Sequence, residues 1–452
     1  MRDETMSLKY QCQPTSEGYY TLSAGVQTPV RLFLSEKLYA ESEESLYQQV
    51  QTATEYPGAL DVVITPDVHT GYVVPVGCVI ATSGTLLQAA CGYDIGCGMA
   101  AFRSTVPVEK GKDERLRRKF SEEVMKRVGL GLGQRGSYSY SRQEFQEAIR
   151  TGAASLGEER GASERDFIPV DDAWQPPPKA VDRGIGQFGS LGGGNHFIEL
   201  QYNQEGYLWV MIHTGSRGFG HALATHFIHE GKAELEARGI RPKGGAEAVY
   251  FEPDSPLYFG YRNAVAAGAN FAIVNRLLIA REVGAAFRRV FGEHPELVYE
   301  LSHNLVQEEI LPDGRKAWVH RKGATRAFPA GHPMLAGTRW EHTGHPVLIP
   351  GSMGDTSYVL TPKAGAAKSL YSVNHGCGRR MSRGQAKQEL TQSGVNKQMK
   401  ELGVLVNGGG DVPIDESPAV YKPAAEVIRA VVDAGLAEVA HTLTPIASIK
   451  GE

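Results

Sequence analysis

The sequence predicts mixed α and β structure folded as one interleaved domain, and three observations support this prediction. Short apolar segments bounded by turn residues, such as residues 60–64, 73–80 and 209–212, are typical of strands. An Ala-rich segment without proline, from Tyr258 to Phe287, is typical of a long helix. Chemically distinctive motifs are dispersed from residue 67 to residue 450. If they meet at one site the chain is a single domain, although its length alone would allow about two to four.

The other elements follow along the chain. Residues 59–82 are predicted as strands and loops, and residues 197–200 and 209–212 as short strands beside motif loops. Residues 158–183 are polar and include three consecutive prolines, which predicts an exposed loop or an insertion. Helices are predicted over residues 110–128, 142–158, 221–238, 361–371, 383–402 and 418–439.

Composition excludes several classes of protein. A hydrophobic content of 41% with 22% charged residues favours a large packed core over disorder. A net charge of -4 excludes a strongly basic nucleic-acid coat, so any RNA binding must be local. The five cysteines form no disulfide framework, which is typical of a reducing compartment. With no secretory signal and no apolar run of about 18 residues, we expect a cytoplasmic protein without a membrane partner.

Five residues of types that bind transition metals stand in short motifs, and four of the five lie in glycine-rich segments. A thiolate and imidazoles favour zinc, iron or manganese-like ions over magnesium or calcium. Taken singly, each histidine is equally compatible with a structural role, and an Asp in a Gly-flanked loop is an ordinary turn residue. Together they predict a site for metal-assisted phosphoryl or nucleotidyl transfer, with a thiolate able to bridge two metals. The candidates are Asp94, Cys97, His196, His213 and His303.

A second group of motifs predicts covalent chemistry on phosphate. His375, in Asn-His-Gly-Cys-Gly-Arg-Arg, could attack an α-phosphorus and form a phosphoramidate. Residues 351–358 place hydroxyls and backbone donors in one loop, a natural nucleotide cradle, although such a loop is often only a loop. Basic residues within 320–326 and 374–400 suit phosphates or an RNA end. A solvated charge run or a basic helix face is the alternative for both segments.

In this order the motifs resemble the RtcB family of RNA ligases. The resemblance runs from about Pro66 to Gly451 and covers most of the chain, whereas residues 1–55 and 105–180 resemble the family poorly. It implies an α+β fold, a single compact domain with mixed β-sheets and surrounding helices. The motifs that carry it are Pro66-Asp67-Val68-His69, Gly92-Tyr93-Asp94-Ile95, Gly194-Asn195-His196-Phe197, His320-Arg321-Lys322-Gly323-Ala324-Thr325-Arg326 and Pro350-Gly351-Ser352-Met353-Gly354.

The resemblance also implies an activity and a set of site residues. The family joins RNA ending in a 3′-phosphate or 2′,3′-cyclic phosphate to RNA with a 5′-hydroxyl, using GTP and two Mn²⁺, and some members use the activator protein archease. Asp94, Cys97 and His196 would bind one metal, and Cys97, His213 and His303 the other. His375 would be guanylylated. The implied GTP-binding residues are Asn195, Glu199, Ser352, Ser357, Gly376, Cys377, Gly378, Tyr421 and Lys450, and those for the RNA end are Arg217, Lys322, Arg326, Arg379 and Arg380.

Two departures from the family pattern predict a divergent paralogue in RNA repair or tRNA splicing. Gly96 stands where the family usually has Asn, and Cys377 where it usually has Ala. Cys377 beside His375 leads to the hypothesis that activity is redox-sensitive. The departures also motivate a first alternative, a guanylyltransferase that caps 3′-phosphates or a cyclic phosphodiesterase, without ligation. A second alternative is a non-catalytic protein that binds RNA ends, although such a protein has little need of a nucleophile.

Overall fold

Two large β-sheets and one long central helix position the motif loops. The computed structural model describes residues 7–157 and 168–451. Within these ranges the chain forms a single compact domain of the α+β class, with mixed sheets and surrounding helices. The fold class expected from the sequence is therefore confirmed.

The strands are mostly short, and several of the longest border motif loops. In chain order they are β1 (Gln13–Pro14), β2 (Tyr20–Leu22), β3 (Val30–Leu32), β4 (Ala59–His69), β5 (Val76–Thr82), β6 (Leu86–Leu87), β7 (Gly98–Pro107), β8 (Gly129–Leu130), β9 (Ser190–Gly192), β10 (Phe197–Asn203), β11 (Tyr207–Thr214), β12 (Tyr250–Phe251), β13 (Glu296–Ser302), β14 (Asn304–Ile310), β15 (Lys316–Lys322), β16 (Ala324–Arg326), β17 (Val347–Ile349), β18 (Ser357–Pro362), β19 (Ser372–Asn374), β20 (Leu405–Val406) and β21 (Ala437–Ile449).

The helices surround the sheets, and one of them is far longer than the rest. Within the described residues they are α1 (Glu36–Glu41), α2 (Glu44–Thr54), α3 (Val108–Lys112), α4 (Glu114–Arg127), α5 (Arg142–Thr151), α6 (Pro178–Gly184), α7 (Arg217–Ala237), α8 (Tyr258–Phe291), α9 (Arg383–Glu389), α10 (Gln392–Glu401) and α11 (Ala424–Asp433). Short 3-10 turns connect several of them.

The register of the second sheet brings distant motifs to one end. The first sheet has the order β1-β2-β3-β4-β5-β15-β14, and the second β13-β7-β11-β10-β21-β18-β17 with β20 beside β21. In the second sheet Phe197 pairs with His213, Thr214 with Gly98, and Gly98 with Ser302. Because paired residues lie side by side across a sheet, the segments beside these pairs converge at the same edge.

Helix α8 forms the core support for that edge. By length and hydropathy it could cross a membrane, but all of its most apolar stretch is buried inside the protein, as in the core helix of a globular fold. It packs against aromatic side chains of neighbouring helices, including Phe145 and Phe219. The predicted helix 258–287 is confirmed and extends to Phe291.

Several predicted elements differ in the structure. Of the predicted loop 158–183, residues 158–167 lie outside the described residues, Trp174 is buried, and residues 178–184 form α6, which begins at a proline. Residues 364–369 form only a 3-10 turn within the predicted helix 361–371. The predicted helix 383–402 is two helices, because Thr391 caps α10 and interrupts the run. The predicted helix 418–439 is confined to α11, since Gly435 (φ +70°) ends it before β21.

Candidate metal and nucleotide site

The five predicted metal ligands meet at the edge of the second sheet. Cys97 directly precedes β7, His213 is the penultimate residue of β11, and His196 directly precedes β10. His303 lies between β13 and β14. Residues 94–97 can lie this close to the sheet because Gly98 leaves room for β13: an added Cβ would be 2.0 Å from the Leu301 carbonyl oxygen. We call the cluster of Asp94, Cys97, His196, His213 and His303 the metal end.

Distances within the metal end are those of converging ligand atoms. The Cys97 Sγ lies 3.4 Å from His196 Nε2 and 3.2 Å from His213 Nε2. Beyond them, His196 Nε2 is 3.0 Å from the Asp94 carboxylate, and His213 Nε2 is 3.2 Å from His303 Nε2. The ligand atoms of Cys97, His196 and His213 all lie within 4.8 Å of one another and are buried. The Cys97 sulfur therefore lies between two groups of candidate ligands, with Asp94 and His196 on one side and His213 and His303 on the other.

The second nitrogen of two imidazoles fixes their orientation. His196 Nδ1 lies 2.9 Å from the Leu191 carbonyl oxygen, and His213 Nδ1 lies 3.1 Å from that of Asn195. Each Nδ1 donates to its carbonyl, which turns the Nε2 atoms towards the Asp94 carboxylate, the Cys97 thiol and the His303 imidazole. Burial, with the nearby histidines, holds the pKa of His213 and His303 well below the usual range, so both are neutral. Lone pairs this close suit a shared cation, and the donor set fits a transition metal.

The Asp94 loop lies directly on α8. Gly96 has φ +73°, and an added Cβ would be 2.8 Å from the Ala269 Cα, so a larger residue would need a wider spacing to the helix. The Asp94 Oδ1 accepts the Ser216 backbone N–H at 2.9 Å. Burial opposes ionisation of Asp94, but His196 and Arg217 together lower its pKa well below the usual range. The carboxylate is therefore charged and available to a cation.

His375 lies next to the metal end and contacts a buried aspartate. Its ring centroid is 4.9 Å from that of His303. The Asp67 Oδ2 lies 2.5 Å from His375 Nδ1 and accepts the backbone N–H groups of His375 and Gly376 at 3.0 and 3.2 Å. Burial opposes ionisation of Asp67, yet contact with His375 lowers its pKa. This carboxylate favours the tautomer that leaves Nε2 of His375 free to react.

Asp67 is a site residue whose role the sequence analysis missed. Its motif was noticed, but nothing in the sequence joins residue 67 to residue 375. The structure does so through Gly378 (φ +75°), where an added Cβ would lie 1.9 Å from the Asp67 carbonyl oxygen. The close approach of the two segments therefore requires glycine at this position.

A cavity of about 340 Å³ opens from the metal end and His375. This volume is in the usual range of small-ligand sites. Ser357 is not in the lining; it is buried behind the loop and accepts the Gly351 N–H at 2.9 Å. The other predicted nucleotide residues all line the cavity, namely Asn195, Glu199, Ser352, Gly376, Cys377, Gly378, Tyr421 and Lys450.

The far part of the cavity carries a network of charged side chains that we call the nucleotide end, made of Glu199, Glu416, Tyr421 and Lys450. The Glu199 carboxylate accepts from Gln201 at 2.8 Å and from Ser448 at 3.1 Å. Burial raises its pKa to about 7, although Lys450 opposes the rise. Lys450 Nζ lies 3.6 Å from Glu416, which also accepts from the Tyr421 hydroxyl. Glu416 was missed because it stands in no recognisable motif.

The thiol of Cys377 is enclosed rather than presented to solvent. Its Sγ donates to the Pro350 carbonyl oxygen at 3.5 Å, and the residue is 4% exposed. Burial raises its pKa well above the usual range. Since the thiolate is the form that oxidants attack, this environment disfavours the redox hypothesis.

The predicted RNA-end cations do not form one surface. Lys322 and Arg379 line the cavity, and Arg217 lines a second cleft that shares Asp94 and Asn195 with it. Arg380 lines a third cleft, between the segment after His375 and helices α1 and α2. Arg326 is different: it is 3% exposed and lies over the Phe328 ring, outside these clefts. Residues 319–326, at the end of β15 and along β16, are all buried, and Arg326 lines neither the cavity nor the two clefts, so its role at the RNA end stays a prediction.

Acidic side chains also neutralise part of the second basic segment. Arg379 lies 3.3 Å from Glu416, and Arg383 lies 2.8 Å from both Asp415 and Glu416. Arg380 has no carboxylate partner among the described residues, and its Nε donates to the Ala419 carbonyl oxygen. The basic surface expected over residues 374–400 is therefore smaller than its sequence suggested.

Comparison with known proteins agrees with this geometry. The family model described as tRNA-splicing ligase RtcB matches residues 49–451. A tRNA-splicing ligase RtcB of Archaeoglobus fulgidus is 34% identical over 94% of this chain and 95% of its own. One of Aeropyrum pernix is 33% identical over 93% of both chains, and an RNA-splicing ligase RtcB of Mycobacterium tuberculosis is 34% identical over 85% of this chain and 96% of its own. The chain therefore belongs to the tRNA-splicing ligase RtcB family.

Proposed function

We propose that this protein is a GTP- and manganese-dependent RNA ligase. It joins RNA with a 3′-phosphate or 2′,3′-cyclic phosphate to RNA with a 5′-hydroxyl, through a GMP–His375 intermediate, in RNA repair or tRNA splicing. The observation that supports this best is the position of His375, 4.9 Å from the His303 ring and at the wall of the cavity that leads to Glu199 and Lys450. A nucleophile between a metal site and a base pocket suits nucleotidyl transfer.

The metal end offers ligands for two Mn²⁺. Asp94, Cys97 and His196 would bind one ion, and Cys97, His213 and His303 the other, with the Cys97 sulfur shared. When bound, the metals supply positive charge that stabilises the phosphates and the pyrophosphate leaving group. The support for this assignment is the position of the Cys97 sulfur, within 3.4 Å of both His196 and His213.

The first step is guanylylation of His375. The lone pair of Nε2 attacks the α-phosphorus of GTP, an N–P bond forms, and the bond to the β-phosphate oxygen breaks with release of pyrophosphate. Asp67 holds the proton on Nδ1 and stabilises the charge that develops on the ring. The two main-chain N–H groups that bind the same carboxylate keep the nucleophile in place.

The later steps pass GMP to RNA and then release it. Water opens a cyclic end to a 3′-phosphate. An oxygen of that phosphate attacks the phosphorus of the His375 adduct, so that GMP moves to the RNA end and the imidazole is freed. The 5′-hydroxyl then loses its proton and attacks the 3′-phosphate, a phosphodiester forms, and GMP leaves. Asn195, at the junction of the cavity and the second cleft, is placed to contact these phosphates.

The nucleotide end explains a preference for guanine. Lys450 can donate to O6 and the Glu199 carboxylate can accept from N1 and N2, whereas adenine presents an amino group and an unprotonated N1 at those positions and makes neither contact. Ser352 and Tyr421 complete the wall of the pocket. Ser357 acts indirectly, because it binds the backbone of Gly351 rather than facing the cavity.

Two RNA ends need two approaches to one site. The cleft that contains Arg217 and the cleft that contains Arg380 both adjoin the cavity, and they share Arg383 with it. We assign one RNA end to each cleft, with Arg383 at their junction and Lys322 in the wall of the cavity. We place the protein in the cytoplasm, and archease is the partner to test if turnover is slow.

Covalent labelling tests the proposal. The full chain is incubated with α-labelled GTP and Mn²⁺, as wild type, as His375→Ala and as His229→Ala, which changes an exposed histidine far from the cavity. We expect label on wild type and His229→Ala and none on His375→Ala. RNA with the two complementary ends is then added, and we expect joined product.

The possible results separate the alternatives. RNA 3′-ends capped with GMP, without joined product, would support the guanylyltransferase alternative. RNA binding without label, unaltered by His375→Ala and by archease, would leave an RNA-end-binding protein. Label on His375→Ala equal to that on wild type would contradict the proposed nucleophile.

A further inference from the structure

The middle of α8 contains a buried charged residue that no step of the proposed reaction uses. Arg276 has no exposed surface, and its helical neighbours are buried as well. A guanidinium in such a place is costly unless its donors are satisfied. Its partners therefore reveal what the residue does.

Arg276 contacts one loop, the ends of two strands and one carboxylate. Nη1 donates to the carbonyl oxygens of Gly96 at 2.6 Å and of Thr214 at 3.0 Å. Nη2 donates to the Ser302 hydroxyl at 3.0 Å. Nε donates to Glu300 at 2.5 Å, and this carboxylate is equally buried.

Each of the three partners other than the carboxylate is the chain neighbour of a candidate metal ligand. Gly96 precedes Cys97, Thr214 follows His213, and Ser302 precedes His303. A guanidinium is planar and its donors have fixed directions, so three contacts to one group fix the relative positions of the three segments that carry these residues. We propose that Arg276 is a positioning residue that sets the spacing of the metal ligands, with Glu300 fixing its orientation. The inference rests on the proposed metal site.

A second buried pair in the same molecule provides a matched control. Arg321 and Glu309 are 2% and 3% exposed side chains, in contact at 2.5 and 2.9 Å. Arg321 also donates to the Ser372 hydroxyl at 2.9 Å and to the Leu370 carbonyl oxygen. None of these partners is adjacent in sequence to a metal ligand. The two pairs thus share burial and chemistry but differ in what they hold.

The test compares two double variants of the full chain, Arg276→Met/Glu300→Gln and Arg321→Met/Glu309→Gln. Each removes both charges, so neither leaves an unpaired buried ion. Metal-free protein is titrated with Co²⁺, whose charge-transfer band with a thiolate reports binding at Cys97, and Tm is measured without metal. We expect both double variants to have a lower Tm than the wild type. Co²⁺ affinity should fall about 10- to 100-fold in the Arg276 double variant and less than about twofold in the Arg321 double variant.

Other results would overturn the inference. Equal losses of affinity in both double variants would do so, and so would wild-type affinity in the Arg276 variant. Arg276→Lys retains the charge but not the planar guanidinium, so we expect its Co²⁺ affinity to stay below that of the wild type. Wild-type Co²⁺ affinity in this variant would show that the charge alone is responsible and would overturn the positioning role. If the double variant does not fold, Ser302→Ala removes one contact, and unchanged Co²⁺ affinity there would overturn the inference. Failure of the wild type to bind Co²⁺ would instead contradict the metal site itself.

Discussion

The metal end and the nucleotide end lie in one cavity but are held in different ways. At the metal end, His196 and His213 are oriented by main-chain carbonyls. At the nucleotide end, Glu199 is oriented by the side chains of Gln201 and Ser448, and Lys450 lies between Glu199 and Glu416. A main-chain carbonyl keeps its position unless the backbone moves, whereas a side-chain partner can change rotamer.

This difference indicates how each end meets its ligand. The metal end is preorganised, because main-chain carbonyls fix the orientation of two of its imidazoles. The nucleotide end is a set of mutually compensating charges, which a base must enter by exchanging partners. His375 lies beside the metal end in the wall of the same cavity, and Asp67 on β4 of the other sheet fixes its orientation. We expect substitutions at the metal end to be all-or-none and those at the nucleotide end to be graded.

The largest expected effect follows from removing the shared ligand. Cys97→Ala should lower metal affinity by more than about 100-fold, the upper figure for loss of an outer-shell partner, because the sulfur contacts both sides of the cluster. Guanylylation should be lost with it. Isothermal titration with Mn²⁺ measures the affinity, and Cys78→Ala, another buried cysteine, is the control. Retention of metal by Cys97→Ala would show that the metal end is not built around this sulfur.

The second effect tests the link between the two ends. Asp67→Asn keeps an acceptor for the main chain but loses the charge that faces His375. The rate of guanylylation should fall about 10- to 100-fold, the usual value of a hydrogen bond to a charged group, with metal affinity unchanged. Single-turnover labelling measures this rate. Asp61→Asn, on the same strand β4 but paired with Arg31, should label like wild type.

The third effect concerns base selectivity and pH. Glu199→Gln should lower the preference for GTP over ATP about tenfold, because an amide pairs less well with guanine N1 and N2. The Glu199 pKa is raised to about 7. Protonation removes the acceptor, so GTP affinity should weaken as the pH falls through 7, and this dependence should vanish in Glu199→Gln. Measuring GTP affinity at pH values above and below 7 tests this expectation. Glu205→Gln, which changes an exposed glutamate, is the control.

The same carboxyl affects folding with the opposite sign from most carboxylates. Its pKa is raised above the usual value of 4.5, so the folded state holds the proton more tightly than the unfolded chain. Its contribution to stability is present below pH 4.5 and is lost as the pH rises through about 7. Glu199→Gln should therefore lose stability less steeply than wild type over this interval in denaturant melts.

The smallest effect is expected at Cys377. Cys377→Ala should change guanylylation by less than about twofold, because the thiol lies against a main-chain carbonyl and contributes no charge. Burial also keeps it protonated, so peroxide should inhibit wild type and variant equally. Faster inhibition of the wild type, measured as the rate of activity loss, would restore the redox hypothesis.

The sequence predicted the metal end better than the nucleotide end. Cys97, His196 and His213 stand in short glycine-rich motifs beside strands, and local sequence is enough to recognise such loops. The register that joins them, through Phe197 opposite His213 and Thr214 opposite Gly98, needed the structure. The fold class was predictable because strand and helix periodicities differ.

Residues that act through distant partners were missed. Glu416 is held by Tyr421 and by two arginines, none of which shares a motif with it. Arg276 was overlooked within an apolar helix, although a single arginine in such a helix is itself a signal of a buried partner. Arg326 lies outside the clefts because the whole basic run over residues 320–326 is buried, which its charge in the sequence does not predict.

We propose that His375 is the residue that carries GMP. Peptide mapping of the guanylylated protein identifies the modified residue directly. Wild-type protein incubated with GTP and Mn²⁺ is digested at alkaline pH, which preserves P–N bonds, and the peptides are sequenced by mass spectrometry. We expect a mass increase equal to one GMP group on His375 and on no other residue. The same mass on a lysine of the cavity, Lys322 or Lys450, with His375 unmodified, would contradict it.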